Sequence, residues 1–248
     1  MKQLNINVIG LGGIGSELCE KVAKFFNFQK DYHIRMTLID GDSYELRNQE
    51  RQMFSGIDNK AVVKHGDLMA QYENIELSFC TTYVTPENIH ELLHDGDIVL
   101  LAVDNHKTRM VVSKFCSGLD NVVLISGGNE LLDGNVQIYV RKEGNDQTPR
   151  LTDYHPEIAV PQDKLPTEMS CEELAEAEPQ LYFVNLGVAT LMCWALYNVI
   201  IQDSVHYSEV YFDMPSMKAD SKVRKVPVRK TEINEADGSR LHQEAHQL

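Results

Sequence analysis

Hydrophobic and polar positions follow two alternating rhythms along the first half of this chain. Residues 5–9 alternate as a short strand, and 16–26 then repeat with helical period. Residues 36–39 read as a second strand, 60–72 as a second helix, and 77–84, rich in Thr and aromatics, as a third strand. Thr85-Pro86-Glu87 supplies an N-cap, a proline at the first helical position and an acid in the first turn. A helix is therefore predicted from there to about His94, closed by the turn Asp95-Gly96. Residues 98–103 are continuously apolar, as a central parallel strand buried on both faces must be. A helix is expected over 106–119 and a strand over 122–126. An antiparallel continuation over 136–140 follows Asp133-Gly134. This order predicts an α/β fold. It is a doubly wound, Rossmann-like, mostly parallel sheet with an antiparallel late portion and a long crossover loop.

The rhythm breaks over 142–180. That stretch is polar, carries Pro149, Pro156, Pro161, Pro166 and Pro179, and contains Cys171. It is expected to be a mobile crossover segment. Residues 181–201 are the longest apolar helix candidate and hold the single tryptophan, Trp194. Asn185 and Asn198 mark it as a core helix rather than a span. Two late strands are predicted over 209–213 and 223–228. Residues 231–248 are polar and without pattern, which reads as a disordered tail behind one domain over 1–230.

Composition narrows the partners. Lys and Arg number 23 against 37 Asp and Glu, a formal net charge of −14, which argues against nucleic acid. No apolar run reaches the roughly 18 residues of a membrane span. The first strand begins almost at once, so no signal peptide is expected. Cys19, Cys80, Cys116, Cys171 and Cys193 are odd in number and form no C-x-x-C pair. They are read as reduced thiols of a cytoplasmic protein without zinc.

The chemistry concentrates at strand ends. Gly10-Leu11-Gly12-Gly13-Ile14-Gly15 places G-x-G-x-x-G between the first strand and its helix. The turn is tight, the backbone must approach a phosphate, and the helix must pack close to the sheet. The helix N-terminus adds N–H donors and the positive end of its dipole. Asp40, at the carboxyl end of the second strand, is placed to bind a ribose hydroxyl. Together these predict a nucleotide site at Gly10, Gly12, Gly15 and Asp40.

Beyond Asp40 the polar residues Asp42, Asn48, Arg51, Gln52 and Lys60, then Asp104-Asn105 with Arg109, fall in a series that a dehydrogenase does not need. At these spacings the series resembles the ThiF/MoeB/ubiquitin-activating-enzyme superfamily, from about residue 4 to 228. Its members adenylate the C-terminal carboxylate of a small β-grasp protein. The resemblance implies ATP and Mg²⁺, and a ubiquitin-like or sulfur-carrier partner with a C-terminal glycine tail. Attack on the α-phosphate builds charge on its oxygens and on pyrophosphate, so fixed positive charge is required there. Arg51 and Lys60 are the candidates, with Asn48, Gln52 and Asn105 as further nucleotide contacts. Asp104 offers the hard oxygen that Mg²⁺ prefers or a cap for the helix after it. Asp42 orients the loop or the adenosine, and Arg109 pairs with Asp104. Cys171 is the candidate for capturing the activated carrier as a thioester or persulfide. Glu168, Glu172, Glu173 and Glu176 around it would raise its pKa, and a helix N-cap at Ser170 could partly offset them. Cys19 and Cys193 are read as core, and His155 as a surface residue.

Three departures stand against that resemblance. The two zinc-binding C-x-x-C pairs of many members are missing. Only Lys2 precedes the first strand, where several members carry an arginine that enters the partner subunit's site. Arg47-Asn48-Gln49-Glu50-Arg51-Gln52 has drifted from Ser-Asn-Leu-x-Arg-Gln. A bare adenylation domain is expected, without a rhodanese or ubiquitin-fold domain. Two competing functions remain open, an NAD-dependent Rossmann oxidoreductase and a nucleotide-binding module that has lost catalysis. A homodimer is expected, with Leu181, Val184, Val188 or their neighbours on 181–201 facing the second subunit.

Overall fold

The computed structural model describes residues 1–49, 52, 54–169 and 180–229. Nine described strands form one sheet: β1 Lys2–Ile9, β2 Tyr32–Ile39, β3 Glu76–Cys80, β4 Ile98–Leu101, β5 Val122–Asn129, β6 Asp133–Lys142, β7 Asn145–Asp146, β8 Glu209–Asp213 and β9 Lys218–Lys222. Their order is β3-β2-β1-β4-β5-β6-β8-β9, with β7 paired to β6. The pairs from β3 to β5 are parallel, and every pair from β5 onward is antiparallel. The mostly parallel sheet with an antiparallel late portion is thus as expected.

Ile9 lies opposite both Ile39 and Leu101, so β1, β2 and β4 end level. The chain leaves β1 toward β2 on one side and reaches β4 on the other. Such a reversal opens a crevice beyond the carboxyl ends of the strands.

Helices cover both faces: α1 Gly13–Asn27, α2 Lys60–Met69, α3 Ile89–Leu92, α4 His106–Cys116, α5 Pro156–Ala159 and α6 Tyr182–Leu196. On one face Leu18, Val22 and Phe26 of α1 join Val188 and Met192 of α6 over Ile6, Val8 and Ile138. On the other, Val112 and Cys116 of α4 and Ile158 of α5 pack over Val99, Leu101 and Leu124. The α6 helix and the π-helical turn after it (Tyr197–Ile201) are long and apolar enough to cross a membrane. Here α6 packs on α1, β5 and β6 as a core helix.

Two predicted elements differ. The helix expected from Thr85 shrinks to the four residues of α3. Asn88 turns its side chain back on the chain, accepting from Thr85 N and donating to Tyr83 O, and so competes with the helical bonds of 85–88. The last strand is β9, not 223–228. The hairpin pairs Asp213 with Lys218, and residues 223–229 then run back across the molecule, with Lys225 O accepting from the Tyr154 hydroxyl.

Between 142 and 169 the chain carries β7, α5 and a 3-10 turn at Pro166–Glu168. Asp163 fastens this segment to α4, accepting from His106 N at 2.5 Å and Lys107 N at 3.0 Å. The tail expected to be disordered, 231–248, lies outside the described residues.

Candidate functional site

A cleft of about 1090 Å³ opens at the crevice beside β1, over the ends of β1, β2 and β4. Gly10 leaves β1 with φ of +85°, a left-handed conformation that favours glycine. A methyl group at Gly15 would come within 1.8 Å of Gly10 O, so the start of α1 can meet the turn only without a side chain. Gly12 is the N-cap of α1, and no side chain among the described residues caps the helix. Its first turn faces the cleft at Gly13 and Ile14.

Asp40 sits beside this turn, but its carboxylate is already engaged. Oδ2 accepts from Leu11 N at 2.6 Å and Oδ1 from Asp42 N at 2.8 Å. Burial pushes its pKa up, and the Lys60 charge pulls against that. The sequence pattern offers Asp40 to a ribose. The structure shows it first as the bolt between the glycine turn and the loop after β2.

Lys60 opens α2 and is 7 % exposed. Its ammonium pairs with the Asp42 carboxylate at 2.5 Å, and its backbone N–H donates to Asp42 O. Asn59 caps α2, accepting from Ala61 N, and donates to Asp40 O. These bonds hold the loop after β2 against the head of α2 and aim the Lys60 ammonium at the cleft wall. Asn48 and Gln52 are buried along that wall, joined by Gln52 N to Asn48 O. Arg51 lies outside the described residues.

Across the cleft, Asp104 follows β4 with an exposed side chain. The cap of α4 comes from Asn105, whose Oδ1 accepts from Thr108 N at 2.7 Å. That frees the Asp104 carboxylate of capping duty. Arg109 does not hydrogen bond Asp104. Its guanidinium is buried and donates to Val103 O at 2.7 Å and Gly127 O at 2.9 Å. Burial lowers its pKa to about 10, with Asp104 opposing from a distance. Arg109 therefore ties β4 to β5 beneath the cleft.

The far wall holds residues that sequence reasoning missed: Asn129, Asn135, His106, Glu157 and Gln180. They come from four separate parts of the chain, and only the folded sheet with its helices brings them together. Among the described residues, Gln52 Oε1, His106 Nδ1, Asn135 Oδ1 and Asn185 Oδ1 are buried and meet no hydrogen-bond partner, and the first three belong to cleft-lining residues. Buried polar atoms are nearly always paired, so such a grouping fits a cleft built for a polar ligand. Among the described residues no three His, Cys, Asp or Glu side chains converge as a metal cluster. A cation here would have Asp104 and ligand oxygens.

The remaining candidates separate from the cleft. Cys171 lies outside the described residues. Cys19 is buried in the core, where burial pushes its thiol up to about 12; Cys193 is partly buried and pushed up to about 11. His155 is not a surface residue. It bridges Glu157 at 2.9 Å and Glu209 at 3.1 Å and locks α5 to β8.

The ThiF family model matches residues 1–235. The chain belongs to the ThiF family. Among curated relatives, the tRNA threonylcarbamoyladenosine dehydratase of Haemophilus influenzae is 30 % identical over 142 residues, covering 54 % of this chain and 51 % of the relative. The adenylyltransferase and sulfurtransferase MOCS3-1 of Zea mays is 31 % identical over 143 residues, covering 56 % and 29 %. The chain thus spans about half the length of the first and less than a third of the second. Among solved structures, E. coli MccB with ATP superposes with a TM-score of 0.71 at 19 % identity, covering 91 % of this chain and 65 % of MccB. At that identity the match shows the ThiF-like fold. The relatives' names carry different activities, so family membership alone does not choose the reaction of this ThiF-family chain.

Proposed function

We propose that this ThiF-family chain adenylates the C-terminal carboxylate of a small ubiquitin-like or sulfur-carrier protein, with ATP and Mg²⁺. One observation carries the reading. A buried lysine on α2, an uncapped helix N-terminus on α1 and a free carboxylate after β4 converge on one cleft of about 1090 Å³. A hydride-transfer site does not need these three together. In the reaction a carrier carboxylate oxygen attacks the α-phosphorus. The bond to pyrophosphate breaks, leaving an acyl-adenylate and pyrophosphate.

The chain's residues divide this work. The N–H groups of α1 and the Gln52 and Asn48 side chains hold phosphate oxygens. Lys60 places positive charge beside them, where charge grows in the transition state. Its Asp42 partner holds the ammonium and leaves two of its three N–H donors for a ligand. Asp104 would hold Mg²⁺, which supplies charge neutralisation on the phosphates when bound. Arg51 is proposed to assist Lys60, and Cys171 to receive the activated carrier. Both are proposals from the sequence alone. The partner is expected to end in a glycine tail, and the protein is expected to act in the cytoplasm as a homodimer.

The test has two arms. Calorimetry should show ATP binding with Mg²⁺ and no binding of NAD. Exchange of labelled pyrophosphate into ATP should then require a carrier protein with a C-terminal Gly-Gly tail. Binding of NAD in preference to ATP overturns the reading in favour of an oxidoreductase. ATP binding without exchange, across the carriers of the source proteome, leaves a non-catalytic nucleotide module.

A further inference from the structure

Gln180 and Asn185 stand at the head of α6 and lie across the first turn of α1. A methyl group at Gly13 would come within 2.0 Å of Asn185 Nδ2 and 3.1 Å of Gln180 Oε1. Asn185 is fully buried, its Nδ2 donates to Gln180 Oε1 at 3.5 Å, and its Oδ1 has no partner among the described residues. Gln180 is half-buried and lines the cleft. Its oxygen is engaged by Asn185, so the Nε2 end, with two N–H donors, is the end left for a ligand.

We propose that Gln180 is a further phosphate-binding residue of this cleft, donating from Nε2 to nucleotide phosphate oxygens at the N-terminus of α1, and that Asn185 is its positioning residue. The inference rests on the nucleotide reading above. The chemistry suits the place. The α1 N-terminus attracts negative charge and lacks a side-chain cap. A neutral carboxamide adds directed donors there without a second buried cation. Asn185 sets which end of the Gln180 amide faces outward, because an amide presented the other way would aim an acceptor at the phosphate. The head of the last long helix thereby becomes part of the site formed by the first.

The experiment compares calorimetric affinities for ATP and for adenosine, which carries no phosphate, in the full chain. In Gln180→Ala, ATP affinity should fall about tenfold, the size of one lost hydrogen bond to a charged group, while adenosine affinity stays within about twofold. Gln180→Glu keeps the shape and replaces the donors with a negative charge, so its loss toward ATP should be larger. Asn185→Leu should lower the ATP-to-adenosine ratio in the same direction, and the double variant with Gln180→Ala should lose no more than the worse single. An unchanged ratio in Gln180→Glu overturns the proposal. That result stands whatever Asn185→Leu does to folding, because Gln180 is half-buried at the cleft rim. A wild-type chain that binds neither ATP nor adenosine overturns the nucleotide reading itself, and this inference with it.

Discussion

The Asp40 carboxylate and the Leu11 backbone N–H are 29 positions apart in sequence and 2.6 Å apart in space. With the second oxygen on Asp42 N, this carboxylate makes the glycine turn and the loop after β2 a single unit. Asp40→Ala would leave two backbone donors without their acceptor, at about 1–3 kcal/mol each where burial is complete. The variant is expected to unfold at a lower denaturant midpoint and to lose nucleotide affinity. Wild-type stability in denaturant titration would show that the loops hold each other without it.

Lys60 tests the chemistry. Lys60→Met keeps the buried stem of the side chain and removes the charge. Asp42 is nearly half exposed, so water can solvate it once its partner is gone. Stability should change little, while carrier-dependent pyrophosphate exchange falls by about 10²–10³, the usual effect of losing a donor to developing charge. Exchange within threefold of wild type in the folded variant would remove Lys60 from the mechanism.

Arg109 and Asp104, five positions apart in sequence, should behave in opposite ways. Arg109→Met strands the Val103 and Gly127 carbonyls beneath the cleft. A loss of about 2–4 kcal/mol is expected in chemical denaturation. Asp104→Ala removes an exposed carboxylate, so stability should hold within about 0.5 kcal/mol while Mg²⁺-dependent exchange is lost. A stable Arg109→Met, or an unstable Asp104→Ala, would reverse these assignments.

The parts legible in the sequence share one property: their partners are near in sequence or follow a strict period. The glycine turn, the acid at the end of β2 and the buried run of β4 can all be placed from the order of residues alone. The strand β9, Lys-Ala-Asp-Ser-Lys, is exposed throughout and has no apolar alternation, so only its hairpin register with β8 reveals it. The proline and cap signals at 85–87 point to a helix, but Asn88 draws the backbone into a turn that no periodicity records. The target of a long side chain is equally hidden. Arg109 passes the carboxylate five positions away for two carbonyls, and His155 spans to Glu209, 54 positions on. Asn185 is visible in the sequence only as a polar break in an apolar helix; its seat on Gly13 needs the packing of α6 against α1.

Acid should weaken the fold through two buried carboxylates. Burial alone would raise the pKa of Asp146, but bonds from the Tyr139 hydroxyl and Arg141, with the Arg150 charge, hold it below the ordinary range. Burial likewise opposes, and Arg224 and His155 outweigh, at Glu209. Depressed folded values mean that the unfolded chain binds more protons. Their stabilisation is present above the ordinary carboxylate pKa of about 4 and is lost as pH falls through the lower folded values. Asp146→Asn and Glu209→Gln should each flatten the acid limb of a plot of Tm against pH below about 4.5. An acid limb as steep as wild type in both variants would place the acid sensitivity elsewhere.

A subunit contact through α6 would use other residues than the sequence pattern picks out. Val184 and Val188, expected at a subunit contact, are fully buried within the chain, and Val188 packs on β5 and β6 at Gly127 and Gly134. The other side of α6 is the open one. Phe183 is 68 % exposed, Trp194 61 % and Tyr197, in the π-helical turn, 42 %. These positions, 11 and then 3 apart, return to one face of a helix. Aromatic side chains are enriched in protein contacts, and these three lie on the open side of α6. A second copy across a two-fold axis would place the same strip against itself. Wild-type chain should therefore scatter light as a dimer at micromolar concentration, and Trp194→Glu should shift it to one-chain mass with its fold intact by circular dichroism. Val188→Ala should act differently, opening a cavity in the core and lowering Tm without dissociating the dimer. A wild-type mass of one chain, unchanged by ATP and Mg²⁺, would mean that the strip serves no second copy.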